Sequence, residues 1–251
     1  MQMTSSFSES PLYRLIDGDS RDVLLTAEDV RGFFMDPERE PSEAFTFIRP
    51  RQVNLPRRNI ESAELEVLNY QRERIGVYHI GRASLITPDT DKSIDRQGDV
   101  EYSFSGHTCE YPKAGEVWSR WAAENPIERG EWAKYPAEYH ECWLHVTQTA
   151  WFTAHRKAAR YGTDDFVTID GREMFNKFSF YCALGEAVNG PGGYFGSNLD
   201  ALADCLSSRE AKGQFHVTWE SFPSSRNHLG EEFTSATVGV LEEFGVSVIF
   251  K

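Results

Sequence analysis

The sequence predicts a mixed α/β chain in two parts. A small three-stranded parallel sheet with helices occupies the C-terminal third, and an α+β region precedes it. Three observations carry this. Residues 164–251 alternate short apolar runs with helical spacing in the order β-α-α-β-α-β, joined by short connections, which implies parallel strands with helices packed on them. Residues 11–163 mix strand-like and helix-like patterns in no regular order. The pattern changes at Tyr161-Gly-Thr-Asp-Asp165, which sets the expected boundary near 163.

Composition fits folded structure throughout most of the chain. Of the 251 residues, 40% are apolar and 13% aromatic, enough for a substantial core. Residues 1–10, polar and Ser-rich, read as a disordered tail rather than a secretory signal, having neither a basic start nor an apolar stretch. No run is long and apolar enough to span a bilayer, so no membrane role is expected. Four scattered cysteines, Cys109, Cys142, Cys182 and Cys205, read as reduced thiols of a cytoplasmic protein.

In the N-terminal region, Leu12–Ile16 and Asp22–Ala27 flank a Gly/Asp turn and predict a hairpin. Ala27–Phe34 reads as a short helix with Glu28 and Asp29 at its start. Residues 36–43 and 88–100 read as loops. Ala44–Ile48 and Ile75–Ile86 read as strands, the second broken at Gly81. Residues 116–123 and 136–159 carry helical spacing, the latter through Tyr139, Trp143, Val146 and Ala150. The basic run Arg49, Arg51, Arg57 and Arg58, broken by Pro50 and Pro56, reads as a solvated loop.

In the C-terminal region, Phe166–Asp170 is a strand, Met174–Val188 a helix, Asn198–Leu206 a short helix, Phe215–Trp219 a strand, Leu229–Phe244 a helix and Val246–Phe250 a strand. Cys182 and Cys205 fall in apolar helical positions and are expected in the core.

Charge narrows the function classes. A net charge of −13 disfavours a nucleic-acid binder, which neutralises phosphates with clustered Lys and Arg. It suits a basic partner. The C-terminal third is the more densely negative part, with 6 Lys+Arg against 13 Asp+Glu in residues 164–251.

The most specific stretch is Gly193-Tyr-Phe-Gly-Ser-Asn-Leu-Asp-Ala-Leu-Ala-Asp-Cys-Leu206. Gly196 suits the unusual backbone angles of a loop-to-helix junction. Ser197 or Asn198 can cap the helix. Leu199, Leu202 and Leu206 form its expected buried face. Asp200 and Asp204, four apart, project together from another face at a small cost in like-charge repulsion. By spacing alone they read first as ordinary solubilising surface acids.

This stretch resembles the barstar family of intracellular ribonuclease inhibitors. Tyr194, Phe195, Gly196, Asn198, Leu199, Asp200, Ala201, Leu202, Asp204, Cys205 and Leu206 fit the family hallmark. Val167–Gly171, Trp219–Phe222 and the closing strand resemble the flanking elements, so about 85 residues are covered. The resemblance implies an immunity protein that is not an enzyme and uses no cofactor. Its acidic helix and preceding loop would occlude the active site of a basic ribonuclease or ribonuclease-like toxin, without contacting nucleic acid. Carboxylates would take the places of RNA phosphates, accepting charge-assisted hydrogen bonds from Arg, Lys and His of the enzyme. Carried over residue by residue, Asp204 is the anchor and Asp200 its neighbour. Tyr194 packs on the enzyme, with Phe195 and Asn198 also counted in the contact face, and Gly196 permits close backbone approach. Ala203 stands where better-known members carry Trp, which removes one aromatic contact and bears on partner identity. No counterpart of the family's additional interface acid is clear, although Glu242 and Glu243 lie nearby.

Residues 11–163 match no motif with known chemistry. His107-x-Cys109 and His140-x-Cys142 offer four metal-ligand types, but the spacing differs from common zinc sites, and no metal is expected. His140 and His145, five apart, do not share a helix face. Trp118, Trp121, Trp132, Trp143 and Trp151 are expected in a core or an interdomain contact, with a partner-binding surface as the alternative. Two alternatives remain open. The N-terminal region could be an enzyme, metal-dependent or not, regulated by the C-terminal domain, or the C-terminal scaffold could serve a non-nuclease partner.

Overall fold

A computed structural model describes residues 12–36, 44–86, 101–208 and 215–251. The expected N-terminal tail and most of the two loops at 36–43 and 88–100 lie outside these. The chain divides into two compact units, 1–125 and 126–251. The division falls at Asn125/Pro126, not near 163, because the helix over 140–153 packs within the second unit, against the helix that follows the first parallel strand.

The first unit is an antiparallel barrel. Its strands are β1 (Tyr13–Asp17), β2 (Val23–Arg31), β3 (Ala44–Val53), β4 (Asn59–Leu68), β5 (Arg74–Leu85) and β6 (Tyr102–Ser105). They close in the order β1-β2-β3-β6-β5-β4. The expected hairpin is present, with Leu15 opposite Leu25. Alternation then fills the interior: Leu15, Leu25, Phe45, Phe47, Leu65 and Phe104 are all fully or almost fully buried. A single helix among the described residues, α1 (Ala114–Trp121), packs Trp118 against this unit, its indole N–H donating to the Tyr78 hydroxyl at 2.7 Å.

Two expectations fail here for one reason. Ala27–Phe34 is not a helix, since β2 runs on to Arg31 and pairs with β3. The Arg49–Arg58 run is not simply a solvated loop. Arg49 and Arg51 belong to β3, and both guanidiniums pair with Glu28 on β2. Cross-strand pairing outweighed local propensity. Strands β4 and β6, absent from the sequence reading, complete the barrel. The expected break at Gly81 is only a local irregularity: β5 runs continuously through it, with φ +73 and a register shift beside it.

The second unit carries α2 (His140–Thr153), β7 (Phe166–Asp170), α3 (Lys177–Asn189), α4 (Leu199–Ser207), β8 (His216–Glu220), α5 (Phe222–Leu229), α6 (Glu231–Glu243) and β9 (Ser247–Phe250). The parallel sheet has the order β7-β8-β9, with Val167, Val217 and Val248 in one row. Trp219 on the central strand is fully buried and stacks on Phe180 of α3 at 5.2 Å. The expected helix 229–244 is present as α6, over Glu231–Glu243, and is preceded by a second helix, α5, that the sequence reading missed. Gly230, at φ +84, separates them, and α5 begins where Phe222-Pro223 favours a first turn. Helix α2 is shorter than the expected 136–159.

Of the five clustered tryptophans, Trp118, Trp132, Trp143 and Trp151 are buried, as expected of core residues, and Trp121 is half-buried. All four cysteines are buried free thiols.

Candidate functional site

Helix α4 is built by three local devices. Asn198 is its N-cap, extended in backbone, with its side-chain oxygen accepting from the Ala201 N–H at 2.8 Å. Ser197 does not cap; its hydroxyl lies 3.4 Å from that of Tyr194. Leu202 and Cys205 are fully buried and anchor the helix, which packs against α6, whereas Leu199 and Leu206 are only half-buried. Burial pushes the Cys205 thiol up to about 12, with the nearby Asp204 charge adding to it, so the thiol is inert near neutral pH.

Asp200 and Asp204 are exposed and one turn apart on α4, Asp200 in its first turn. Neither is ion-paired to a cation among the described residues. Ala203 between them is half-buried, and Asn198 is exposed at the helix start. These four residues make the outward face.

Three residues expected on that face take other places. Tyr194 is 2% exposed and Phe195 fully buried. The Tyr194 ring packs edge-on to Phe152 of α2 at 5.5 Å, and Phe195 meets Phe215 at 6.1 Å. Both aromatics hold the loop to the unit, and neither is a surface contact as the chain stands. Gly196 is buried as well, so it offers no backbone for close approach. Its φ is +97, and a Cβ there would sit 2.9 Å from the backbone N and Cα of Leu202. Glycine is demanded by the chain's own helix rather than by a partner.

Asn189, at the end of α3, ties the loop down. Its amide donates to the carbonyls of Ala159 at 3.1 Å and Tyr194 at 2.8 Å, and its oxygen accepts from the N–H groups of Tyr161 at 2.7 Å and Gly162 at 3.3 Å. The sequence reading missed this clamp. It also missed Phe152, 43% exposed beside the Tyr194 ring. The only sequence signal for either is an amide at a helix end and an aromatic off the apolar stripe of α2.

The four metal-ligand types do not assemble. Among the described residues no group of three or more His, Cys, Asp and Glu is placed to hold a metal ion. The ring of His140 is engaged on both sides. Nε2 lies 3.1 Å from the Tyr135 carbonyl, which can only accept, so that nitrogen carries the proton; Nδ1 then accepts from the Ser179 hydroxyl at 2.7 Å. No helix among the described residues is long and apolar enough to cross a membrane.

A small parallel sheet with packed helices, carrying an acidic capped helix after a glycine-broken loop, is the architecture on which the comparisons bear. Residues 165–246 match the family model described as Barstar (barnase inhibitor). The match covers the C-terminal third, and residues before it have no assignment. No curated protein matches the chain.

Proposed function

We propose that the second unit inhibits a basic ribonuclease or ribonuclease-like toxin as an immunity protein, by lodging α4 in the catalytic cleft. The observation that carries this reading is the pair of exposed carboxylates, Asp200 and Asp204, one helical turn apart and not ion-paired to any cation among the described residues. Such a pair presents acceptors at a spacing suited to the Arg, Lys and His groups that hold successive RNA phosphates. Leaving both unpaired costs the free protein a few tenths of a kcal/mol, a cost that a cationic cleft would reverse. The family match over 165–246 supports the same class of partner. Inhibition is by occlusion, with no chemistry by the inhibitor.

The partner need not be the one named in the family description, because Ala203 offers little side chain at the centre of the face. Half-exposed Phe152 is an apolar group that a partner loop can cover instead. The test is to titrate the full chain into RNA cleavage by barnase and by basic secreted ribonucleases from the source organism. Stoichiometric inhibition of one of them, lost on Asp204→Ala and weakened by added salt, is the expected result. Undiminished inhibition by the Asp200→Ala/Asp204→Ala double variant would remove the acidic-helix mechanism.

A further inference from the structure

On the outer face of the barrel, a cavity of about 460 Å³ is lined by Arg14, Arg51 and Arg72 and by no Asp or Glu. In a chain of net charge −13 these are three cations around one concavity, two of them paired with Glu66 and Glu28 and the third with no carboxylate at ion-pair distance among the described residues. We propose that this cavity is a binding site for a phosphomonoester of mononucleotide size.

Two of the arginines, Arg14 and Arg51, are held in place. Glu66, 2% exposed, accepts from Arg14 through Nε at 2.7 Å and pairs with Arg21 at 3.0 Å and Arg74 at 3.4 Å. One buried carboxylate thus fixes three guanidiniums, and Nη1 of Arg14 keeps no protein acceptor among the described residues. Arg51 is fixed by Glu28. Burial raises the Glu28 pKa, yet hydrogen bonds from Arg49 and Arg51 hold it below the usual carboxylate range, so it remains charged and keeps Arg51 in place. Arg72 has no carboxylate at ion-pair distance among the described residues. It sits in the left-handed region, φ +63, in a turn stiffened by Asn69, whose side-chain oxygen accepts from the N–H groups of Gln71 and Glu73. The adjacent Glu73 carboxylate is occupied by the Asn69 amide at 2.9 Å.

Guanidinium forks match phosphate oxygens in pairs, and pre-set arginines lose little freedom on binding. Three around one concavity favour a dianion over a monocarboxylate. Val23 and Leu68 add apolar wall, and the volume lies within the range of small-molecule pockets, so the ligand carries an organic group beside its phosphate. This site concerns the first unit and stands apart from the inhibitor reading.

The test is calorimetric titration of the full chain with adenosine 5′-monophosphate, inorganic phosphate and a short single-stranded RNA lacking terminal phosphate. The nucleotide is expected to bind one to one, more tightly than inorganic phosphate. Arg72→Gly keeps the left-handed backbone and removes the guanidinium, and it should weaken binding by about tenfold without lowering the melting temperature. Arg51→Gln should act in the same direction. Arg82→Gln, a pair partner of Glu61 that does not line the cavity, should leave affinity unchanged. Absence of nucleotide binding would overturn the site, as would equal losses in Arg72→Gly and Arg82→Gln. Inorganic phosphate binding as tightly as the nucleotide would overturn the ester, and RNA binding in place of the nucleotide would overturn the small-molecule ligand.

Discussion

At the scale of single residues, the candidate site separates groups that shape the helix from groups that face outward. Gly196 is of the first kind. Gly196→Ala places a methyl 2.9 Å from the Leu202 backbone at a φ that L side chains rarely adopt. Backbone cannot swing aside as a side chain can, so a loss of about 3 kcal/mol is expected, read as a lower urea midpoint. Asp204 is of the second kind. Asp204→Ala relieves a like-charge neighbour and leaves no buried group orphaned. Its stability should stay level or rise by a few tenths of a kcal/mol. Its affinity for the ribonuclease proposed as partner should fall by about 2 kcal/mol or more. These opposite signs distinguish an interface acid from a structural one; a parallel fall in melting temperature would place Asp204 among the scaffold residues.

At the scale of elements, α4 depends on its cap. The helix has only nine residues and no other side-chain acceptor at its start, so Asn198→Ala should cost about 1 kcal/mol of stability. It should also blur the carboxylate geometry and raise the ribonuclease dissociation constant, whereas Asn198→Asp, which keeps the acceptor, should restore stability. Much of this element was legible beforehand. Its limits, cap candidates and exposed acids follow from a 3.6-residue period and a capping residue read in order. The places of Tyr194 and Phe195 were not legible: the resemblance put them on the contact face, and the groups that cover them, Phe152 and Phe215, are brought in from 42 and 20 residues away. In the barrel, the same limit applied to β2. Glu28 and Asp29 suit a helix start as well as a strand face, and only Arg49 and Arg51 on the neighbouring strand decide between them. Helix α6 was legible from its spacing, whereas α5 before Gly230 was not, since Phe222-Pro-Ser-Ser-Arg-Asn-His-Leu229 carries little apolar periodicity.

At the scale of the whole molecule, acid sensitivity follows from the two histidines of α2. Burial lowers the pKa of His145 from 6.5 to about 4 and lowers that of His140 as well, although the Tyr135 carbonyl partly offsets the latter. The unfolded chain therefore binds protons between about pH 6.5 and 4 that the folded chain refuses. Stability contributed by the neutral rings is complete above 6.5, falls as the pH drops through that window, and changes no further from His145 below about 4. For His145 alone the loss amounts to roughly 3 kcal/mol. Asp29 and Glu186 act in the opposite sense, since burial raises their pKa values and acidification relieves the buried charge. Urea unfolding of the full chain at a series of pH values, followed by hydrogen exchange at α2, should show the midpoint dropping from neutral pH toward pH 4. His145→Gln removes one of the refusing groups and should flatten that slope. An unchanged slope in this variant would mean that acid unfolding of the second unit is governed by other groups, such as Asp170, whose carboxyl Arg172 holds below the usual range, instead of by His145.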